Sequence, residues 1–176
     1  MNASAARAQP KARLSRAELR ARWLDLANDP LVAAIPFKVE LNEKGAIEVT
    51  PANNRHGVLQ AFVSSELTRL MPHGTTITEC AVETQIGVRV PDVAWASPDF
   101  IARHGLPSTF PGAPELCVEI VSPTNSKIEI RDKTAAYLAA GSCEVWLVAE
   151  NGSVEMFDAS GRIDASSFAI ALAPPR

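Results

Sequence analysis

Val88-Arg89-Val90-Pro91-Asp92-Val93-Ala94-Trp95 and Leu116-Cys117-Val118-Glu119-Ile120-Val121 are apolar, strand-forming runs, and each carries one acid. Taking an ionised carboxylate out of water costs on the order of several kcal/mol unless it is paired, hydrogen-bonded or bound to a metal. Asp92 and Glu119 therefore need partners. Two such acids, followed by a helix carrying Lys133, point to a divalent-metal site with a cationic helper.

The elements around these runs can be read from their boundaries. Ser15-Arg16-Ala17-Glu18 is a capping box and predicts a helix to about Asn28, stopped by Asp29-Pro30. Extended runs over Phe37 to Leu41 and Ala46 to Thr50 are joined by the Asn42-Glu43-Lys44-Gly45 loop. A second helix covers about Arg55 to Met71 and ends at Pro72-His73-Gly74. Strand-like segments follow over Thr75 to Glu83, Gly87 to Val90 and Asp92 to Ala96, then a short turn or helix near Pro98 to His104. After a Pro- and Gly-rich loop come a strand over Glu115 to Val121, a helix, and strands over Glu144 to Ala149 and Ser153 to Phe157. This order predicts an α/β (α+β) fold around one central sheet.

The helix after Glu119 is bounded by Ser126-Lys127-Ile128-Glu129, another capping box, and by Gly141. Ile130, Lys133 and Tyr137 share one of its faces. Ile130 and Tyr137 belong in the core, so Lys133 either aims its ammonium at Glu119 or snorkels to solvent beside Asp132 and Glu129. The earlier helix has a stripe of Leu59, Phe62, Val63 and Leu70 with Glu66 at its centre. Either Glu66 is a buried acid needing a metal or basic partner, or Leu67 takes the core position. Glu79 and Glu83 either are further ligands or, as expected, lie exposed at a sheet edge. His56 and His73 sit at helix ends with no spacing that suggests catalysis.

Composition sets the bounds. A chain of 176 residues, 47% hydrophobic and 21% charged, predicts one domain over 15–176 behind a disordered tail over 1–14. A net charge of −3 disfavours a general polyanion binder but leaves room for a local basic groove. Cys80, Cys117 and Cys143 cannot all pair within the chain, and two of them read as small buried hydrophobes of a reducing, cytoplasmic compartment. No Cys/His cluster suggests structural zinc, and no apolar run approaches the roughly 18 residues of a membrane span. Leu19, Trp23 and Leu26 form a stripe that the core or a partner subunit must cover.

Pro91-Asp92-Val93-Ala94, Val118-Glu119-Ile120-Val121-Ser122-Pro123, Lys133-Thr134-Ala135-Ala136-Tyr137, Gly141 and Glu144-Val145-Trp146 together resemble the Uma2 family, formerly a domain of unknown function. That family is assigned to the PD-(D/E)xK nuclease superfamily, and the resemblance runs from about Phe37 to Phe157. It implies a restriction-endonuclease-like core, a central mixed sheet flanked by helices, here with an N-terminal helix and β-hairpin. It also implies that Asp92 and Glu119 are the catalytic acids and hold Mg²⁺ or Mn²⁺ with the Ile120 carbonyl. The superfamily lysine two residues after the second acid is replaced by Val121, and in this family its role falls on the following helix, at Lys133. Glu66 corresponds in place to a helix acid of many superfamily members. Tyr137 is a core residue or positions Lys133.

The implied activity is metal-dependent hydrolysis of DNA, with phosphate contacts from Arg55, Arg89, Lys127 or Arg131 and a homodimer as the favoured assembly. The alternative is a degenerate nuclease fold that binds nucleic acid or a protein partner without cutting. A third class, a small-molecule or structural protein reusing the fold, stays open. Asp92→Ala is expected to leave the fold intact or slightly more stable, by relieving carboxylate repulsion.

Overall fold

The computed structural model of the chain describes residues 12–51, 53–123 and 125–175. Residues 1–11 of the expected tail lie outside the described residues. Arg13 and Leu14 are bonded to the domain: Arg13 Nη2 donates to the Gln85 carbonyl at 2.8 Å, and Leu14 N to the Glu43 carbonyl at 2.8 Å.

The strands build two sheets. A four-stranded antiparallel sheet is formed by β1 (Lys38–Asn42), β2 (Ile47–Thr50), β4 (Val82–Thr84) and β5 (Gly87–Arg89), in the order β2-β1-β5-β4. A six-stranded mixed sheet contains β3 (Thr75–Thr78), β6 (Val93–Ala96), β7 (Leu116–Val121), β8 (Glu144–Ala149), β9 (Val154–Asp158) and β10 (Gly161–Ile163). Its order is β10-β9-β8-β7-β6-β3, with β7 and β8 parallel. A parallel pair needs a crossover, and α5 (Lys127–Ala139) supplies it.

One run expected to be continuous is broken where the chain passes between sheets, and the expected interruption at Pro91 is a second such passage. The segment over Thr75 to Glu83 divides into β3 and β4, because Glu79 adopts φ 53° and turns the chain out of the six-stranded sheet. The second break falls at Val90-Pro91-Asp92, between β5 and β6, where Pro91 has no N–H to give to either ladder. The short edge strand β10 has no counterpart in the sequence reading: it pairs with β9 at the sheet's edge and buries little.

Helices cover both sheets. In α1 (Arg16–Ala27) the capping box forms as expected, with Glu18 N donating to Ser15 Oγ and Ser15 N donating to Glu18 Oε2 at 2.8 Å. Leu19 and Leu26 bury against Leu41, Val88 and Val90, and Trp23 Nε1 donates to the Ser108 carbonyl. The stripe is thus covered by the chain's own small sheet, not by a second subunit. Glu83 is buried, against the expectation of exposure, and takes two hydrogen bonds from Arg20.

On one face of the large sheet lies α3 (Asn54–Leu70), packing Leu59, Val63 and Leu67 on Val93, Val118 and Trp146. Phe168, Ile170 and Leu172 of the C-terminal segment pack on the same cluster. Glu144 fastens that segment: it is 1% exposed and accepts from Trp146 Nε1, Ser166 Oγ and both Ser167 N and Oγ. The opposite face carries α5 and α4 (Pro98–His104), which bury Tyr137 and Phe100 with Cys117 and Val145. Ser126 precedes α5 without a side-chain capping bond, so the second expected capping box does not form. Cys80 and Cys117 are buried and Cys143 is exposed; burial pushes the Cys80 thiol up to about 12.

Gly87 shows how tightly the two halves of the small sheet meet. It pairs with Asn42 at φ +123°, and a Cβ there would stand 1.9 Å from the Leu41 carbonyl oxygen. Gly87→Ala is therefore expected to lower the urea midpoint, with at least about 1–3 kcal/mol from the backbone conformation alone. Equilibrium unfolding against wild type checks this.

Candidate active site

The acids converge because of strand register. Val93 pairs antiparallel with Val118, so one further step sets Asp92 opposite Glu119 at the end of β6 and β7. Cross-strand neighbours share a face, and here it is the face that α5 covers. Asp92 is 1% exposed and Glu119 is 8% exposed.

Each acid is fully engaged. Asp92 Oδ2 accepts from Ile120 N at 2.7 Å, and Oδ1 accepts from Lys38 Nζ at 2.6 Å. The Glu119 carboxylate accepts from the Tyr137 hydroxyl at 2.7 Å on Oε1. Lys133 Nζ stands 2.7 Å from the same oxygen, and Lys38 Nζ lies 3.4 Å from Oε2. Lys38 thus sits between the two carboxylates, and Lys133 is turned inward, 8% exposed, as the helical face requires when it does not snorkel. Tyr137 is buried and bonds Glu119 rather than Lys133; burial and the Glu119 charge push its hydroxyl well above the usual range, which keeps it a donor.

A third carboxylate completes the cluster. Glu40 of β1 is 3% exposed, accepts from Val90 N at 2.7 Å, and lies 3.1 Å from Lys133 Nζ. Arg89 reaches Glu40 at 3.5 Å and also pairs with Glu48. His56, in the first turn of α3, places Nε2 3.3 Å from Asp92 Oδ1. Lys38, His56, Asp92, Glu119, Ile120 and Lys133 line a cavity of about 310 Å³, while Glu40 and Arg89 line an adjacent one.

The electrostatics follow from that packing. Burial works to raise the Asp92 carboxyl, but the His56 contact and the Lys38 charge outweigh it and hold Asp92 well below the usual carboxylate range. Burial also opposes the Lys38 charge, and the Glu119 and Asp92 carboxylates overcome it, so Lys38 is held protonated. Glu40 is lowered on balance, with Lys133 and Lys38 outweighing its burial. The hydrogen bond with Asp92 raises His56 above its ordinary value against partial burial.

The structure thus brings Asp92, Glu119, Lys133, Tyr137 and Ile120 together and leaves Glu66 out. Leu67 takes the core position, while Glu66 turns to the surface and pairs with Arg69 at 2.7 Å. Glu66 is therefore not a ligand of this site. Arg89 is buried among acids, and Arg55 gives Nε to the Glu150 carbonyl and Nη2 to the Pro175 carbonyl, so neither is a free phosphate contact. Lys127 and Arg131 are exposed, Arg131 pairing with Asp132. Lys38, Glu40 and His56 went unrecognised in the sequence. The alternation Lys38-Val39-Glu40-Leu41 does mark two same-face charges, but only their contacts with Asp92, Glu119 and Lys133, far along the chain, show that this face is inward.

The donors suit a hard cation. Asp92 and Glu119 present carboxylate oxygens to one shared positive group, and oxygen ligands are what Mg²⁺ and Mn²⁺ prefer. Among the described residues, no group of three or more His, Cys, Asp or Glu side chains is arranged as a ready metal cluster. Two carboxylates with a backbone carbonyl and water is the kind of ligand set that remains.

Comparison with known proteins gives a family and a fold. The model of the Uma2 family, described as "Putative restriction endonuclease", matches residues 32–167. Among solved structures, "a putative nuclease belonging to DUF820" from Anabaena variabilis superposes with a TM-score of 0.61 at 21% identity. The match covers 77% of this chain and 86% of that one, and it shows a shared fold. No curated protein matches the chain. Among the described residues no helix is long and apolar enough to cross a membrane.

Two stability effects are expected from the geometry. The expectation that Asp92→Ala is neutral or stabilising is reversed, because Lys38 already separates the acids. Removing Asp92 strands the Ile120 N–H and part of the Lys38 charge, at a cost of about 3 kcal/mol in urea unfolding. His56, with its pKa raised on folding, contributes stability that is complete below its unfolded value of about 6.5 and is lost as pH rises through the higher folded value. Unfolding free energies compared at about pH 6 and about pH 8.5 should show a fall in wild type that is reduced in His56→Gln.

Proposed function

The chain belongs to the Uma2 family, and on that premise we propose that it is an endonuclease hydrolysing DNA phosphodiester bonds with Mg²⁺ or Mn²⁺ at Asp92 and Glu119. The observation that carries the reading is the Asp92–Glu119 pair converging on one positive charge, with Lys133 2.7 Å from Glu119. Asp92, Glu119 and the Ile120 carbonyl would hold the ion. When bound, it would polarise a phosphate oxygen and acidify a coordinated water.

The chain's own groups supply the rest. Tyr137 donates to Glu119 and fixes that carboxylate at the cavity wall. Ile120 N and His56 do the same for Asp92. Lys133, anchored by Glu119 and Glu40, faces the cavity and stabilises negative charge developing on the phosphoryl oxygens. Lys127 and Arg131 are exposed on α5 and line a neighbouring cavity rather than the acid cavity, so a phosphate backbone would meet them only beyond the site. A homodimer would let two such sites meet the two strands of a duplex.

A second reading also has an observation in its favour. Lys38 already sits as a counter-ion between the two acids, as a member that binds nucleic acid or a protein partner without cutting would allow. Incubating supercoiled plasmid with Mg²⁺ or Mn²⁺ separates the two. Asp92→Ala, Glu119→Ala and Lys133→Ala are each expected to lower nicking by about a hundredfold to a thousandfold. Wild-type cleavage by Asp92→Ala would sink the nuclease assignment. Retarded DNA with no cleavage in either metal would support the binding reading.

A further inference from the structure

Lys38 stands in the place that the proposed reaction gives to a divalent cation. Its Nζ is 2.6 Å from Asp92 Oδ1 and 3.4 Å from Glu119 Oε2. An ammonium and a metal ion cannot share that spot, since like charges this close in a part-buried cavity repel strongly. A metal can bind both carboxylates only if Lys38 moves.

The structure offers somewhere to go. Lys38 is the first residue of β1, entered through Pro36 and Phe37 and paired to β2 at Thr50. Besides the acid cavity, Lys38 lines a second cavity of about 250 Å³ that Thr50 and Glu79 also line. Glu79 is exposed, and its carboxylate accepts a long hydrogen bond, 3.3 Å, from Gln60 Nε2. A flexible four-carbon stem can carry the ammonium from the acid pair toward Glu79, past His56, which lines both cavities, while β1 stays in the sheet.

We propose that Lys38 is the resident counter-ion of the Asp92–Glu119 pair, displaced toward the Glu79-lined cavity when a divalent cation binds, and that it thereby sets the metal affinity of the site. The proposal rests on the metal reading given above. Linkage makes the effect reciprocal: the attraction that Lys38 supplies to the metal-free protein must be given up on metal binding. Removing its charge should tighten metal binding and weaken the metal-free fold.

The test is calorimetric Mn²⁺ titration of wild type, Lys38→Met, Lys38→Gln and Lys38→Arg, with melting curves in the presence and absence of Mn²⁺. Lys38→Met and Lys38→Gln are expected to bind Mn²⁺ about tenfold more tightly than wild type, and Lys38→Arg no more tightly. The two uncharged variants should also melt lower without metal and gain more Tm from it. Glutamine keeps a polar end on its stem, so the comparison stands should the methionine variant not fold. Wild-type or weaker affinity in the uncharged variants, with wild type itself binding, overturns the counter-ion role and leaves the metal reading intact. Absence of binding in all of them overturns both.

Discussion

The fold turns on keeping a group of buried acids charged. Asp92, Glu119, Glu40 and Glu48 are answered by Lys38, Lys133 and Arg89, with His56 as a further cation when protonated. With a neutral imidazole this cluster carries one negative charge in excess. Breaking such a network by removing one member leaves a charge without its counterpart, which costs more than the intact pair contributes. Backbone groups help to solvate the acids, since Ile120 N and Val90 N each give a hydrogen bond to a carboxylate rather than to a sheet partner. Strand termination and charge solvation are here one event.

That event explains why the chain makes two sheets. The same residues that end β5 and begin β6 also carry Asp92, and Pro91 prevents the ladder from running straight through. Glu79 N donates to the Asp92 carbonyl across the matching break between β3 and β4, so the two crossings lie side by side. The small sheet then brings Lys38 and Glu40 to the end of the large one, and α5 closes the cluster from above with Lys133 and Tyr137. A single flat sheet would leave the acids at an exposed edge, with water as their partner instead of fixed cations. The seam between the sheets is what makes a cavity of them.

How much of this is legible in the sequence depends on whether the signal is local. The apolar runs, the Ser15 capping box and the helical face of Ile130, Lys133 and Tyr137 depend on neighbours a few residues away, and the structure contains them. The breaks at Glu79 and Pro91 are harder. Pro91 is visible as a ladder breaker, but nothing local says that the chain will enter a different sheet. Lys38 and Glu40 are invisible for a related reason: β1 alternates charged and apolar residues like any half-exposed strand, and the face turned inward is decided by contacts with Asp92, Glu119 and Lys133, far along the chain. Glu66 errs the other way. A stripe drawn through Leu59, Phe62, Val63 and Leu70 puts it at the centre, yet a small rotation of α3 gives that place to Leu67.

The inward turn of Lys133 has a consequence for how the site tolerates change in its charge. An ammonium on a helix, pinned by Glu119 on one side and Glu40 on the other, cannot follow a carboxylate that moves. Lys38, at the first residue of an edge-paired strand, can. Tyr137 and Ile120 N hold the carboxylates themselves in place, so the acids and Lys133 form a fixed frame, and Lys38 reaches into it on a long stem from the strand's first residue. Under the proposed function, rigid groups of this kind would define where a phosphate and its leaving oxygen sit. A mobile counter-ion keeps that same frame stable between encounters, when no other cation is there to separate the acids.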